Sequence, residues 1–236
     1  MRNRELLPPL IVAVGLILAA AVFGIFFKSA RGAEHTLRVT GSASKGFVAD
    51  IAKWRLTLSR QVSDGGQSDG YAALRDEAAR LRATLSTAGL PDSAFTVLPP
   101  SAQPMWANGE RSGYQLQQPI YVISDRPEIL ERLATDPAAF ASGGTAVDNS
   151  QIEYFYSGLA ELKHSLLADA TRDARRRAEE IASATDAAIG GIASARSGVF
   201  QITEPYSTEV SGMGMYSTST RRKEIAVTVH ADFQLE

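Results

Sequence analysis

The sequence predicts an α+β protein in which antiparallel sheets are each packed by one long helix, preceded by a single N-terminal transmembrane helix. Three observations predict it. Leu10–Phe27 is an 18-residue run without a charge or a strongly polar side chain. Ser68–Ala88 and Leu159–Ala188 repeat apolar residues at intervals of three and four. Phe47–Arg60 and Glu224–Leu235 alternate apolar with polar residues. A helix stripe and a strand face are each apolar on one side only, and packing one on the other buries both.

Bulk composition supports a folded region behind the apolar run. Of 236 residues, 44% are hydrophobic and 21% charged, too apolar for disorder. The net charge of −2, with acids and bases mixed, argues against a nucleic-acid binder. The chain has no cysteine, so disulfides, thiolate metal sites and cysteine nucleophiles are excluded.

At 1.5 Å per residue, Leu10–Phe27 spans roughly 27 Å as a helix, close to the thickness of a bilayer core. Pro8 and Pro9 fall in its first turn, where proline is tolerated. A cleaved signal needs small residues at −3 and −1. A cut after Ala30 places Lys28 at −3, and a cut after Ala33 places Arg31 there. An uncleaved anchor is therefore expected, with residues 1–9 as a short cytoplasmic N-terminus, 10–27 in the membrane and 28–35 as a tether. Arg2 and Arg4 nearly balance Lys28 and Arg31, so charge bias alone does not orient the span. The short N-terminal side is the one expected to stay in the cytoplasm. In a Gram-negative cell that would put the anchor in the inner membrane and Glu34–Glu236 in the periplasm.

Residues 36–236 form the remaining domain, divisible at about 36–124 and 125–236. Thr36–Thr40 reads as a strand broken by Gly41–Ser44. Phe47–Arg60 reads as one longer strand, with Val48, Ala52, Trp54, Leu56 and Leu58 inward and Asp50 on that same register. In the helix Ser68–Ala88, Leu74, Ala78, Leu81 and Leu85 form the stripe, and Gly89 and Pro91 end it. Phe95–Leu98 is extended but interrupted by Pro99, Pro100 and Pro104. Asn108-Gly109 signals a hairpin into Ser112–Ser124, where Pro119 predicts an edge. A short helix Arg126–Ala134, a loop Asp136–Ser150 and a strand Ile152–Tyr156 follow. The stripe of Leu159–Ala188 includes Ala170, Ala174, Ala178, Ile181 and Ala182, a small-residue ridge that permits close approach to a sheet. Ile189–Val199 reads as a strand, Ser207–Thr220 as a low-complexity loop, and Glu224–Leu235 as a closing strand with Ile225, Val227, Val229, Ala231 and Phe233 inward.

Four pieces in this order resemble the SIMPL-domain family of bacterial envelope proteins, whose function is largely unassigned. They are LRVTGSASKGFVAD at Leu37–Asp50, Tyr114–Arg132, ADATRDARRRAEEIASATDAAIGGIAS at Ala168–Ser194, and IAVTVHADFQL at Ile225–Leu235. The family commonly has Pro-Asp where this chain has Ala49-Asp50, so only the aspartate carries over. The resemblance implies an α+β fold, export across the inner membrane and ring-like oligomers. Some relatives are linked to stress responses. It implies no catalytic site.

No catalytic, cofactor-binding or metal-binding residues are assigned from the sequence. His35, His164 and His230 have no ligand spacing, and HExxH, GxGxxG, GxxxxGK and GxSxG are all absent. Four residues stand out as structural or ligand hints. Asp50 is either a buried acid, or a cap of the turn after Gly46 or an acceptor of backbone N–H bonds. Met213, Met215 and Tyr216 suggest a soft-metal loop, with a plain polar loop as the alternative. Arg172–Glu180 is the densest charge cluster, but Asp173 lies three and four before Arg176 and Arg177, the pairing of a solvated helix face. The expected function is a membrane-anchored, non-enzymatic envelope protein that assembles into a ring. The alternatives are a periplasmic ligand- or partner-binding sensor and an enzyme of unrecognised mechanism.

Overall fold

A computed structural model describes residues 7–30, 36–141 and 143–236. In order, the elements are α1 (Leu7–Ala30), β1 (Thr36–Val48), β2 (Ile51–Val62), α2 (Gln67–Thr87), β3 (Phe95–Val97), β4 (Ser101–Ala107), β5 (Glu110–Ser124), α3 (Pro127–Ala134), β6 (Ala146–Phe155), α4 (Leu159–Ser183), β7 (Ile189–Ser197), β8 (Gln201–Thr203), β9 (Met215–Tyr216) and β10 (Arg222–Leu235). The fold is α+β with two five-stranded sheets. One has the order β1-β10-β8-β9, with β7 also on β10, and the other β3-β5-β2-β6, with β4 also on β5. The pairings of the second sheet are antiparallel, whereas β8 and β9 run parallel.

Taken over the described residues alone, no helix is long and apolar enough to cross a membrane. The described side chains of α1 are Ala13 and Gly15–Phe26, and the expected span Leu10–Phe27 extends beyond them. The tether His35 also lies outside the described residues.

The chain separates into two compact units that interleave in sequence. One comprises residues 42–170 and 197–228, the other residues 1–41, 171–196 and 229–236. In the first, β2 is flanked by β5 and β6, and α2 packs on β2 and β5. The inward residues Trp54, Leu56 and Leu58 meet Leu74, Leu81, Leu116, Ile120 and Leu130, all fully buried. Trp54 stacks edge-on against Phe140 at 5.7 Å and donates its indole N–H to Ser150 Oγ at 2.9 Å. In the second unit Ala174 and Ala178 are fully buried with Val39, Ala231 and Phe233, as the small-residue ridge predicts. Ile181, expected on that stripe, is 48% exposed, one position round the helix from buried Ala182.

Three strand boundaries and the position of Pro119 in its sheet differ from expectation. Gly41–Ser44 does not break β1, and the break falls at Ala49-Asp50. There, consecutive amides go to different partners. Ala49 N–H donates to Arg221 O at 2.8 Å and Asp50 N–H to Phe155 O at 3.1 Å. Pro119 lies in a central strand, not at an edge. Its carbonyl accepts from Leu98 N–H at 3.0 Å, in the gap between β3 and β4. Within an extended strand a residue's N–H and C=O point the same way, so the donor that proline lacks faces that gap and costs β2 nothing. β6 begins at Ala146, inside the expected loop, because Ala146 and Val147 pair with Ser59 and Leu58. β10 begins at Arg222, and its inward phase reaches back to Lys223.

Candidate functional site

The segment between β8 and β10 is built from serine, glycine and methionine, yet side chains fix it at several points. Gln201 grips Ser211 on both backbone groups, donating to its carbonyl at 2.6 Å and accepting from its N–H at 3.4 Å. Glu204 accepts hydrogen bonds from Ser217 Oγ at 3.0 Å and Ser219 Oγ at 2.6 Å. Ser217 N–H donates to Ile202 O at 2.8 Å, which sets β9 beside β8. Below them Lys223, 1% exposed, donates from Nζ to Ser217 O.

The electrostatics follow from these contacts. Burial pushes Lys223 below the usual lysine range, with the charge of Glu204 opposing part of that fall. The Ser219 and Ser217 hydroxyls hold Glu204 below the usual carboxylate range. At the base of the segment, Arg221 donates to Glu128 and to Ala49 O, with Glu131 3.8 Å away. Tyr154 is pushed up to about 12, first by burial and then by its hydrogen bond to the Glu131 carboxylate. Its backbone N–H donates to Thr218 O at 2.8 Å.

Two hollows border this segment. A cleft of about 690 Å³ is lined by Ser42–Ser44, Ser197–Val199, Gln201, Val210, Gly212 and Ala226–Thr228. A second, of about 440 Å³, is lined by Phe200, Ile202, Lys163 and Met213–Tyr216. Met213, Met215 and Tyr216 are therefore brought together, Met213 being 95% exposed. Tyr216 packs against Phe155 at 6.4 Å, and the Lys163 ammonium lies 5.3 Å from the centre of the Phe200 ring. No three histidine, aspartate or glutamate residues among those described gather closely enough to hold a metal ion.

Asp50 does not line either hollow. It accepts the backbone N–H of Ser157 at 2.8 Å and the Ser157 hydroxyl, just ahead of α4. Desolvation pushes its carboxyl up, but these bonds outweigh it and hold the group below the usual range. The charge cluster on α4 pairs within the helix, Arg177 with Asp173 at 2.8 Å and Arg175 with Glu179 at 2.9 Å. His230 Nδ1 and Thr40 Oγ1 are 2.8 Å apart.

Sequence reasoning misses Lys223, Glu204, Ser217, Ser219 and Arg221. One signal was present: Lys223 lies two before Ile225, in the inward phase of the closing strand. The serine and glutamate partners carry no periodic signal, because an irregular backbone places them.

These features define an α+β protein with two five-stranded sheets, three long helices and a side-chain-tied loop beside two hollows. The chain belongs to the SIMPL family, described as a protein of unknown function (DUF541), which it matches over residues 37–233. No curated protein matches it.

Proposed function

We propose that this chain is a non-enzymatic envelope protein. α1 holds it in a bacterial inner membrane, the α+β region lies in the periplasm, and copies assemble into a ring-like oligomer. The apolar surface of α1 carries the anchor. Leu16, Ile17, Phe23, Ile25 and Phe26 are 67–73% exposed, a large unshielded apolar surface. The 24-residue helix is about 36 Å long, against a hydrocarbon core of roughly 30 Å. Assembly is supported by sheet edges left open in the single chain, since β4 and β7 are exposed along nearly their whole length. Family resemblance favours the same reading.

Electron microscopy of full-length protein in mild detergent tests assembly, with closed rings expected. Alkaline carbonate extraction and a phosphatase fused after Glu236 test the anchor. Full extraction, or a fusion active only in the cytoplasm, would refute membrane anchoring with a periplasmic domain.

A second reading, a periplasmic ligand- or partner-binding module, is favoured by the hollow that Met213, Met215 and Tyr216 share. Here replacement of Met213, Met215 and Tyr216 by alanine abolishes function in cells and leaves assembly intact. Loss of assembly in that variant would remove this reading.

A further inference from the structure

Two features of the residue 42–170 and 197–228 unit are complementary to each other. The first is the β4–β5 hairpin. Every residue of β4 is exposed except half-buried Met105, and Trp106 is 66% exposed beside the turn. Asn108 and Gly109 take φ of 53° and 84°, the left-handed pair of a tight hairpin turn, so the tip is conformationally set. A register shift between Met105 and Trp106 re-aims the tip. The second feature is the 690 Å³ cleft, within the roughly 300–1,000 Å³ range of sites that hold a large ligand group.

Their chemistries match. The arm Ser101–Gly109 contains no charged residue, the charges of the hairpin being Glu110 and Arg111 on the returning strand, where Arg111 pairs with Asp64, and the lining of the cleft contains none, in a chain where 21% of residues are charged. Trp is the residue type most enriched at the centres of interfaces, where it needs an uncharged pocket and a few polar partners. The cleft supplies Val199 and Val210 as apolar walls and the hydroxyls of Ser44, Ser197 and Thr228.

We propose that the Trp106 hairpin of one copy docks into this cleft on the next copy. The inference rests on the assembly reading and names its contact. Hairpin and cleft are different patches, so the contact is heterologous, and a heterologous contact closes into a ring when its rotation permits. A preset tip loses little freedom on docking, which favours this arm over a flexible one.

The test uses full-length chains in detergent, followed by sedimentation. Trp106→Ala removes the anchor, and Val210→Asp with Thr228→Glu places charge in the cleft. All three positions are exposed, so the variants keep the fold. Each variant alone is expected to weaken association about 30-fold or more. Mixed together, they restore one good contact, and a species no larger than a dimer forms. In the wild type, assembly should shield one of the two tryptophans from acrylamide, since Trp54 is already buried. Trp106→Ala rings of wild-type affinity would overturn the docking contact while leaving assembly standing, and so would a mixture that stays monomeric. Loss of binding to phosphatidylglycerol vesicles with rings intact would assign the hairpin to lipid instead. A monomeric wild type would overturn both readings.

Discussion

The Asp50 carboxylate takes both the backbone N–H and the hydroxyl of Ser157, joining the β1–β2 turn to the start of α4 across 107 residues of sequence. Replacement by alanine leaves that N–H without its acceptor at a helix entry. Asp50→Ala is expected to cost about 1–2 kcal/mol, and Asp50→Asn less, because an amide oxygen still accepts. The carboxyl is held low in the folded chain, so its contribution is full above the unfolded value near 3.8 and is lost as pH falls through the lower folded value. Urea unfolding from pH 6 to pH 2 checks this. An acid slope unchanged in Asp50→Asn would show that the pair has no such role.

Lys223 yields a prediction of opposite sign. An unfolded lysine titrates near 10.5, and burial holds the folded one lower. Between those values the unfolded chain binds more protons, so stability rises with pH through that window. Lys223→Met keeps the stem and removes the charge. It is expected to stay within about 1.5 kcal/mol of wild type at pH 7 and to flatten that rise. Lys223→Ala opens a cavity and should cost about 2–4 kcal/mol. Thermal unfolding of both variants between pH 7 and pH 10 separates the effects.

Tyr154 is held at about 12 against an ordinary value of 10, by burial and by the Glu131 carboxylate. Stability from that group is complete below pH 10 and is lost as pH rises toward 12. Absorbance titration near 295 nm should show Tyr154 ionising late, together with Tyr216, which burial also pushes up. Glu131→Gln should move Tyr154 earlier by removing the carboxylate, with burial still holding it above 10. No movement would assign the whole rise to burial.

Much of this fold was readable in advance because period-2 and period-3.6 signals survive packing. Trp54, Leu56, Leu58, Leu74 and Leu81 face inward as their spacing requires. The alanine ridge of α4 likewise lies where its spacing places it. The failures share a cause. Pro119 suggests an edge only if its missing donor is assumed to face a partner, and the gap after Val97 is invisible in one dimension. Ala49-Asp50 ends β1 through long-range acceptors, Arg221 and Phe155, that no local propensity encodes. The ties of the β8–β10 segment are also long-range, so Glu204, Ser217 and Ser219 read in sequence as ordinary loop polarity.

One glycine shows how narrowly this arrangement is specified. Gly113 sits in β5 with φ of +147°, opposite Met105 and next to the register shift at Trp106. A Cβ added there would lie 2.1 Å from the carbonyl oxygen of Val62. That oxygen is backbone at the end of β2, so it cannot swing aside as a side-chain tip would. Gly113→Ala must therefore shift β5 away from β2 or change its own φ, and either disturbs the base of the Trp106 hairpin. The expected cost is about 2–4 kcal/mol, combining backbone strain with overpacking. Gly109→Ala, with φ of +84° but open space around its Cβ, should cost about 1 kcal/mol through strain alone. Urea unfolding of the two variants compares them directly. Equal losses would mean that β5 and β2 yield at Val62, and the close approach would then contribute nothing to placing the hairpin.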